Sequence, residues 1–161
     1  QQAKKERADA KAARMAAKVE RASIKARKEA IKTIAQLIAD AQIVFNAFIR
    51  ERDKGKGCFV CGRPFTDKPG QVQHAGHVRS RGAAGHLRFN EDNCHGECEG
   101  CNGPHGAKPH QIEAGAIARI GAERYAELCA DNTPHKWQRD ELIAIKHEYR
   151  AKLKELKGRT C

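Results

Sequence analysis

Four cysteines in two pairs, Cys58-Phe-Val-Cys61 and Cys98-Glu-Gly-Cys101, frame the part of the chain that could do chemistry. The 36 residues between the pairs contain His74, His77, Asn93 and His95, and Asn102 follows the second pair directly. Two CxxC pairs at this separation suit a tetrahedral zinc ion bound by Cys58, Cys61, Cys98 and Cys101. Four thiolates fill the coordination sphere, so such a zinc is structural and any catalysis needs other residues. Gly62, next to the first pair, lets backbone amides turn toward the sulfurs. The second pair is expected at the start of a helix.

The residues between the pairs supply a second set of groups. Residues 71–78, Gln-Val-Gln-His-Ala-Gly-His-Val, read as a short strand interrupted at Gly76. Residues 79–86 read as an exposed basic loop, and Leu87-Arg-Phe89 as a returning strand. A helix carrying Asn102 completes a ββα-metal plan. In that plan a strand histidine activates water, and a divalent cation neutralises the phosphate and the leaving oxygen. A regular strand puts His74 and His77 on opposite faces, and a bulge at Gly76 would bring them together. Taken alone, these residues support a zinc finger without catalysis as readily as a nuclease. His86, His110, His135 and His147 read as surface histidines. His95 reads as a brace for the zinc through a bond to a ligand. Cys129 reads as a core residue and Cys161 as a free terminal thiol.

What must position these groups begins upstream. Residues 1–54 contain no Gly and no Pro and are rich in helix formers. They predict one long helix, roughly 75 Å if fifty residues are helical, stopped by Gly55 and Gly57. Ile24, Ile31, Ile38 and Phe45 recur every seven residues, with Ile34, Ala41 and Phe48 at the intervening offset. That is a coiled-coil-like seam from about residue 24, and it could pair two copies of the chain as a homodimer. Downstream, Gln111 to Ala130 reads as one or two helices broken at Gly121. Ile112, Ile117, Ile120, Tyr125 and Leu128 are its core candidates. A last helix starts near Gln138, with Glu141 at the capping-box spacing and Leu142, Ile145, Tyr149 and Leu153 on one face. It is expected to cover the first helix around residues 31–49, with Trp137 anchoring the joint. The domain plan is a long basic helix (1–54), a zinc-bearing core (55–108) and C-terminal helices (109–161).

Charge points to the partner. The 161-residue chain carries a net charge of +11, and such an excess fits an anionic partner, most often nucleic acid. Lys4, Arg7, Lys11, Arg14, Lys18, Arg21, Lys25, Lys28 and Lys32 step by three and four and so share one helix face. From residue 4 to 28 there are ten basic and three acidic residues, an excess of seven. A solvated helix face normally mixes signs. A stripe of one sign reads as a rail for a DNA backbone, supplemented by Arg79, Arg81 and Arg88 in the core. No run of 18 apolar residues and no secretory signal is present. The seven cysteines are odd in number. A reducing cytoplasm and metal binding are therefore expected rather than disulfides.

Several blocks resemble a known family. Asn46-Ala-Phe-Ile-Arg-Glu-Arg-Asp53, Ala75-Gly-His77, Leu87-Arg-Phe-Asn-Glu91, Cys98-x-x-Cys101-Asn102 and Arg119-Ile-Gly121 are similar, in order and spacing, to the NinG or Rap recombination endonucleases of lambdoid phages. These are zinc-bearing HNH enzymes. The resemblance covers roughly residues 30–157; the basic helix resembles in character only. It implies an α+β, mostly α protein with a small zinc-stapled, treble-clef-like ββα-metal core, flanking helices and a long basic N-terminal helix. It also implies a phage-encoded endonuclease, acting in the host cytoplasm with phage or host recombination proteins on branched DNA such as Holliday junctions and D-loops. His77 would be the general base, and Asn102 a ligand of Mg²⁺ or Mn²⁺. His105 would be a second ligand or a phosphate contact, and Asn93 would hold the loop that aims His77. The family carries an acid where this chain has His74. As a ligand, imidazole suits Mn²⁺, Ni²⁺ or Zn²⁺ better than Mg²⁺. A different class, a DNA-binding adaptor that uses zinc only to fold, is the competing expectation.

Overall fold

The computed structural model describes residues 1–159, with Ala8 described by its backbone alone; Cys161 lies outside them. The chain divides into two compact units, Gln1–Gln36 and a larger one beginning at Leu37. The fold is mostly helical with one two-stranded sheet. Among the described residues no helix is long and apolar enough to cross a membrane.

The predicted single N-terminal helix is two. Helix α1 spans Gln2–Ala30 and α2 spans Ile34–Arg52. The break has a local cause. The Gln36 amide donates to the Thr33 hydroxyl at 3.3 Å, and the Thr33 amide donates to the Gln36 side-chain carbonyl at 2.9 Å. This reciprocal cap starts α2 at the end of an Ile31-Lys-Thr-Ile34 stretch rich in β-branched residues. The seam expected for a coiled coil is interrupted there. Ile24 and Ile31 are exposed, Ile31 at 81%, whereas Ile38 and Phe45 belong to the core of the larger unit.

That core joins α2 to α6, Arg139–Gly158. Leu37, Ala41, Phe45, Phe48 and Ile49 meet Leu142 and Tyr149, with Phe89 and Cys94 beneath. Phe45 packs edge-on to Tyr149 at 4.7 Å and to Phe89 at 5.7 Å. Trp137 packs on Phe89 at 5.0 Å and donates its indole N–H to the Gly85 carbonyl at 3.1 Å. The Gln138–Glu141 capping box opens α6. The last helix therefore covers the first apolar segment as expected, but over residues 37–49.

The sheet pairs β1, Gln73–His77, with β2, Cys94–Cys98, antiparallel and without a bulge. The expected strand at Leu87–Phe89 is instead a 3-10 turn, Gly85–Leu87, and the segment after it. The Asn90 side chain accepts from the Asp92 and Asn93 amides, and these Asx turns delay the strand until Cys94. Helix α3 (Glu99–Asn102) follows β2 at once. Helices α4 (Pro109–Ile120) and α5 (Ala122–Ala130) are separated by Gly121, whose φ of 85° permits the turn. A small cluster of Ala84, Leu87 and Leu128 seats α5 on the loop after β1. Cys129, expected in the core, is exposed, because α5 buries Leu128 on its inner face.

Candidate metal centre and histidine hairpin

The cysteine pairs meet as their spacing predicts. The Gly62 amide closes a turn onto the Cys58 carbonyl at 2.9 Å, with Gly62 at φ 71°. The Phe59 amide donates to the Gly96 carbonyl at 2.9 Å and pins this knuckle to β2. Cys98 ends β2 and caps α3, and Cys101 lies within α3. All four sulfurs lie within 4.8 Å of one another, and Cys61 Sγ is 3.8 Å from Cys98 Sγ. Metal–sulfur bonds of about 2.3 Å at the tetrahedral angle place sulfurs about 3.8 Å apart, so the four thiols can hold an ion. Arg63 Nε lies 3.4 Å from Cys61 Sγ. Burial opposes ionisation of Cys61, but the Arg63 amide and guanidinium outweigh it and hold this thiol at about 6. Among the described residues this is the one grouping of three or more His, Cys, Asp or Glu side chains close enough to share a metal.

The hairpin sorts the remaining groups by face. His77 lies opposite Cys94, and His74 lies opposite Glu97 on the other face. His77 Nε2 is 3.1 Å from the Arg88 carbonyl. A carbonyl only accepts, so Nε2 carries the hydrogen and Nδ1 keeps the lone pair. Nδ1 is 3.8 Å from Cys94 Sγ, a thiol that burial keeps neutral. Burial lowers the His77 pKa, and the Arg81 and Arg88 charges lower it further, against the Arg88 carbonyl bond that raises it. Arg88 itself donates to Gln42 at 3.3 Å, and its buried Nε has no hydrogen-bond partner among the described residues. Asn93 is fully buried and accepts the Arg79 amide at 2.8 Å. Its Nδ2 donates to the Arg79 and Leu87 carbonyls, both at 3.1 Å.

Other candidates fall elsewhere. His74 is half-buried, and Asn102 is exposed at the end of α3. His105, expected on the same helix as Asn102, lies in the turn beyond it, because α3 ends before Gly103. The Arg79 guanidinium donates to the Leu128, Cys129 and Asp131 carbonyls and to Asn132, closing the C-terminal end of α5. His86 is half-buried, and its Nε2 lies 2.9 Å from the Asp131 carbonyl. His110, His135 and His147 are exposed.

His95 does not brace the cysteine cluster. Its Nε2 donates to the Asp92 carbonyl at 2.9 Å, Arg52 Nη2 reaches its Nδ1 at 3.3 Å, and its ring packs on Phe59. Burial, then the Arg52 charge, pushes its pKa down to about 4. Beside it lies a residue to which the sequence had assigned no role. Asp53, 1% exposed, accepts from Arg52, from Lys56 and from the Gly96 amide at 2.8 Å. These bonds overcome the cost of burial and hold its pKa far below the usual carboxylate range. Both groups are depressed in the folded state, so both stabilise it above their unfolded values and lose that contribution in acid. For His95 the loss runs from about 6.5 down to about 4 and is worth at most roughly 3 kcal/mol. Thermal unfolding of metal-loaded protein should therefore fall more steeply across this window in the parent than in His95→Gln. Parallel curves would remove His95 as the cause.

A two-stranded hairpin running directly into a helix, with four cysteines tying the helix start to an upstream knuckle, defines a ββα-metal core; here it is set among flanking helices. The chain belongs to the family described as Bacteriophage Lambda NinG protein, which matches residues 1–159. It is 39% identical over 130 residues to protein ninG of Escherichia phage lambda, covering 80% of this chain and 61% of that one. It is 38% identical over 127 residues to protein ninG of Salmonella phage P22, covering 79% and 61%. The chain thus spans about six-tenths of the length of these relatives. No solved structure matches it.

Proposed function

We propose that this chain is a metal-dependent endonuclease that cuts branched recombination intermediates, Holliday junctions and D-loops, inside the infected bacterial host. One observation carries the hydrolytic reading. The His77 imidazole is held neutral by burial and by the charges of Arg81 and Arg88, and Arg88 has a buried N–H with no partner among the described residues. Phosphodiester hydrolysis needs a base that is unprotonated near pH 7 and cationic donors on the phosphate. The Arg88 carbonyl fixes the tautomer that leaves His77 Nδ1 as the base. Asn93 ties the two ends of the loop from Arg79 to Leu87, which carries Arg81 and leads into Arg88.

The four-cysteine ion is Zn²⁺ and structural. A second cation, Mg²⁺ or Mn²⁺, would be held by His74 and Asn102, whose side chains have no hydrogen-bond partner among the described residues; with His74 on the hairpin face away from His77, it would neutralise backbone charge on the bound DNA rather than meet the water that His77 activates. His105 lies in the exposed turn after α3 and would touch phosphate rather than join that ligand pair. The choice of branched DNA comes from the family. Incubation with a labelled four-way junction and Mn²⁺, against an EDTA control, tests the whole reading. Binding without any cut under either metal would replace it with a DNA-binding adaptor that uses zinc only to fold.

The DNA rail of the proposal is α1. Lys4, Arg7, Lys11, Arg14, Lys18, Arg21, Lys25 and Lys28 are all exposed. Lys32 pairs with Glu29 at 2.7 Å and does not belong to the rail. Nor does Arg79, whose donors close α5. Each phosphate contact contributes about −0.9 to the slope of log affinity against log salt. Replacing Lys11, Arg14, Lys18 and Arg21 by Ala should flatten that slope by roughly three to four units, and an unchanged slope would show the face to be merely solvated. Further partners in the proposal are phage or host recombination proteins. A second copy of the chain would have to pair through α1, because α6 already covers Leu37–Ile49.

A further inference from the structure

We propose that Glu97 and His74 together form a divalent-cation site on the face of the hairpin opposite His77, with Glu97 as its carboxylate ligand. The two residues are direct partners in the β1–β2 register, so their side chains rise from the same face within reach of one ion. Glu97 is 5% exposed, and no hydrogen bond or ion pair meets its carboxylate among the described residues. A carboxylate with so little contact with water and no protein partner is costly. No basic side chain offsets it here. The same face carries only His74, Gly76 and His95 besides Glu97, and His95 is committed to Asp92 and Arg52. The nearby Cys61 belongs to a cluster of four thiolates that stays net negative with one Zn²⁺ bound, which sharpens the need for a cation.

The backbone makes room for this carboxylate. A Cβ at Gly76 would stand 1.9 Å from Glu97 Oε2 and 2.9 Å from its Cβ, so the glycine provides the space over which Glu97 lies. No direct bond joins Glu97 to His74, which leaves an imidazole nitrogen and a carboxylate oxygen both open to an ion. One nitrogen and one oxygen ligand favour Mn²⁺ over Mg²⁺, with water or phosphate oxygens completing the shell. The inference deepens the nuclease reading and rests on it for the ion's role. Binding itself does not require that reading.

The test uses full-length protein carrying one zinc, titrated with MnCl₂ while free Mn²⁺ is read by electron paramagnetic resonance. The parent should bind one Mn²⁺. Glu97→Gln and His74→Gln should each weaken binding by tenfold or more, with zinc content and circular dichroism unchanged. A parent that binds no Mn²⁺, or a folded Glu97→Gln that binds it as the parent does, overturns the site. If in addition Glu97→Gln cuts junctions at the parental rate, the nuclease reading survives its loss. If the parent cuts nothing, that reading falls while the titration still decides this one.

Discussion

Replacing Cys58 with Ser should leave a protein that holds no zinc and loses its hairpin. A structural zinc supplies on the order of 10 kcal/mol to folding, as much as the whole net stability of a typical domain. Here its loss spreads through named contacts. Without the ion the Cys58–Cys61 turn is held against β2 only by the Phe59 amide on the Gly96 carbonyl and by the Phe59 ring on His95, too little to keep it in register. Helix α4 then loses its seat, because Gly115 packs directly under Phe59, where a Cβ would stand 2.2 Å from the Phe59 carbonyl oxygen. The α2–α6 core contains no cysteine ligand. Much of the helical circular dichroism should therefore survive while the His74, His77 and His95 resonances collapse, and the product should be insoluble or molten. Metal analysis checks the premise: one zinc per chain in the parent. Soluble, folded parent protein without zinc would remove both the ion and the account of the fold.

What could be read from the sequence was what depends on near neighbours. The four ligands stood out because CxxC spacing is itself the geometry of two adjacent thiolates. Helix α6 stood out because its cap and apolar stripe both lie within its own residues. The break at Thr33 was equally local, since Thr33 and Gln36 have capping-box spacing, but the unbroken run of helix formers hid it. Strand β2 was not legible. Cys94-His-Gly-Glu-Cys98 lacks β-branched and aromatic residues, and its extended state comes from pairing with β1 and from Asn90 holding the turn before it. Buried carboxylates were missed for a related reason. Asp53 finds its acceptor role at the amide of Gly96, 43 residues on, and the position of Glu97 depends on a glycine in the opposite strand. Arg79 read as a DNA contact because it lies in a basic loop, and only the fold brings the end of α5 to it. The regular register also answers the strand question: His74 and His77 stay on opposite faces, with no bulge at Gly76.

Replacing His77 with Ala should lower junction cleavage by 10² to 10⁴, the usual range for a general base, while junction binding stays near the parental level. The imidazole is suited to take a proton from water because burial and two neighbouring cations keep it neutral. The sign of the pH effect follows. A lowered pKa means that the base form persists to more acidic pH than for a free histidine, so cleavage should fall only as pH drops below the ordinary imidazole range near 6.5. Arg81→Ala removes one of the charges that lower it, so the acidic limb of the profile should move up in pH. Asn102→Ala should lose activity through weaker cation binding and recover in part with excess Mn²⁺, a rescue that His77→Ala should not show. Neither residue belongs to the α1 stripe, so salt dependence of binding should be unchanged in both. If His77→Ala cuts at the parental rate and His74→Ala or His105→Ala does not, the base is one of those histidines. If all three cut normally, the reacting phosphate does not sit at this hairpin.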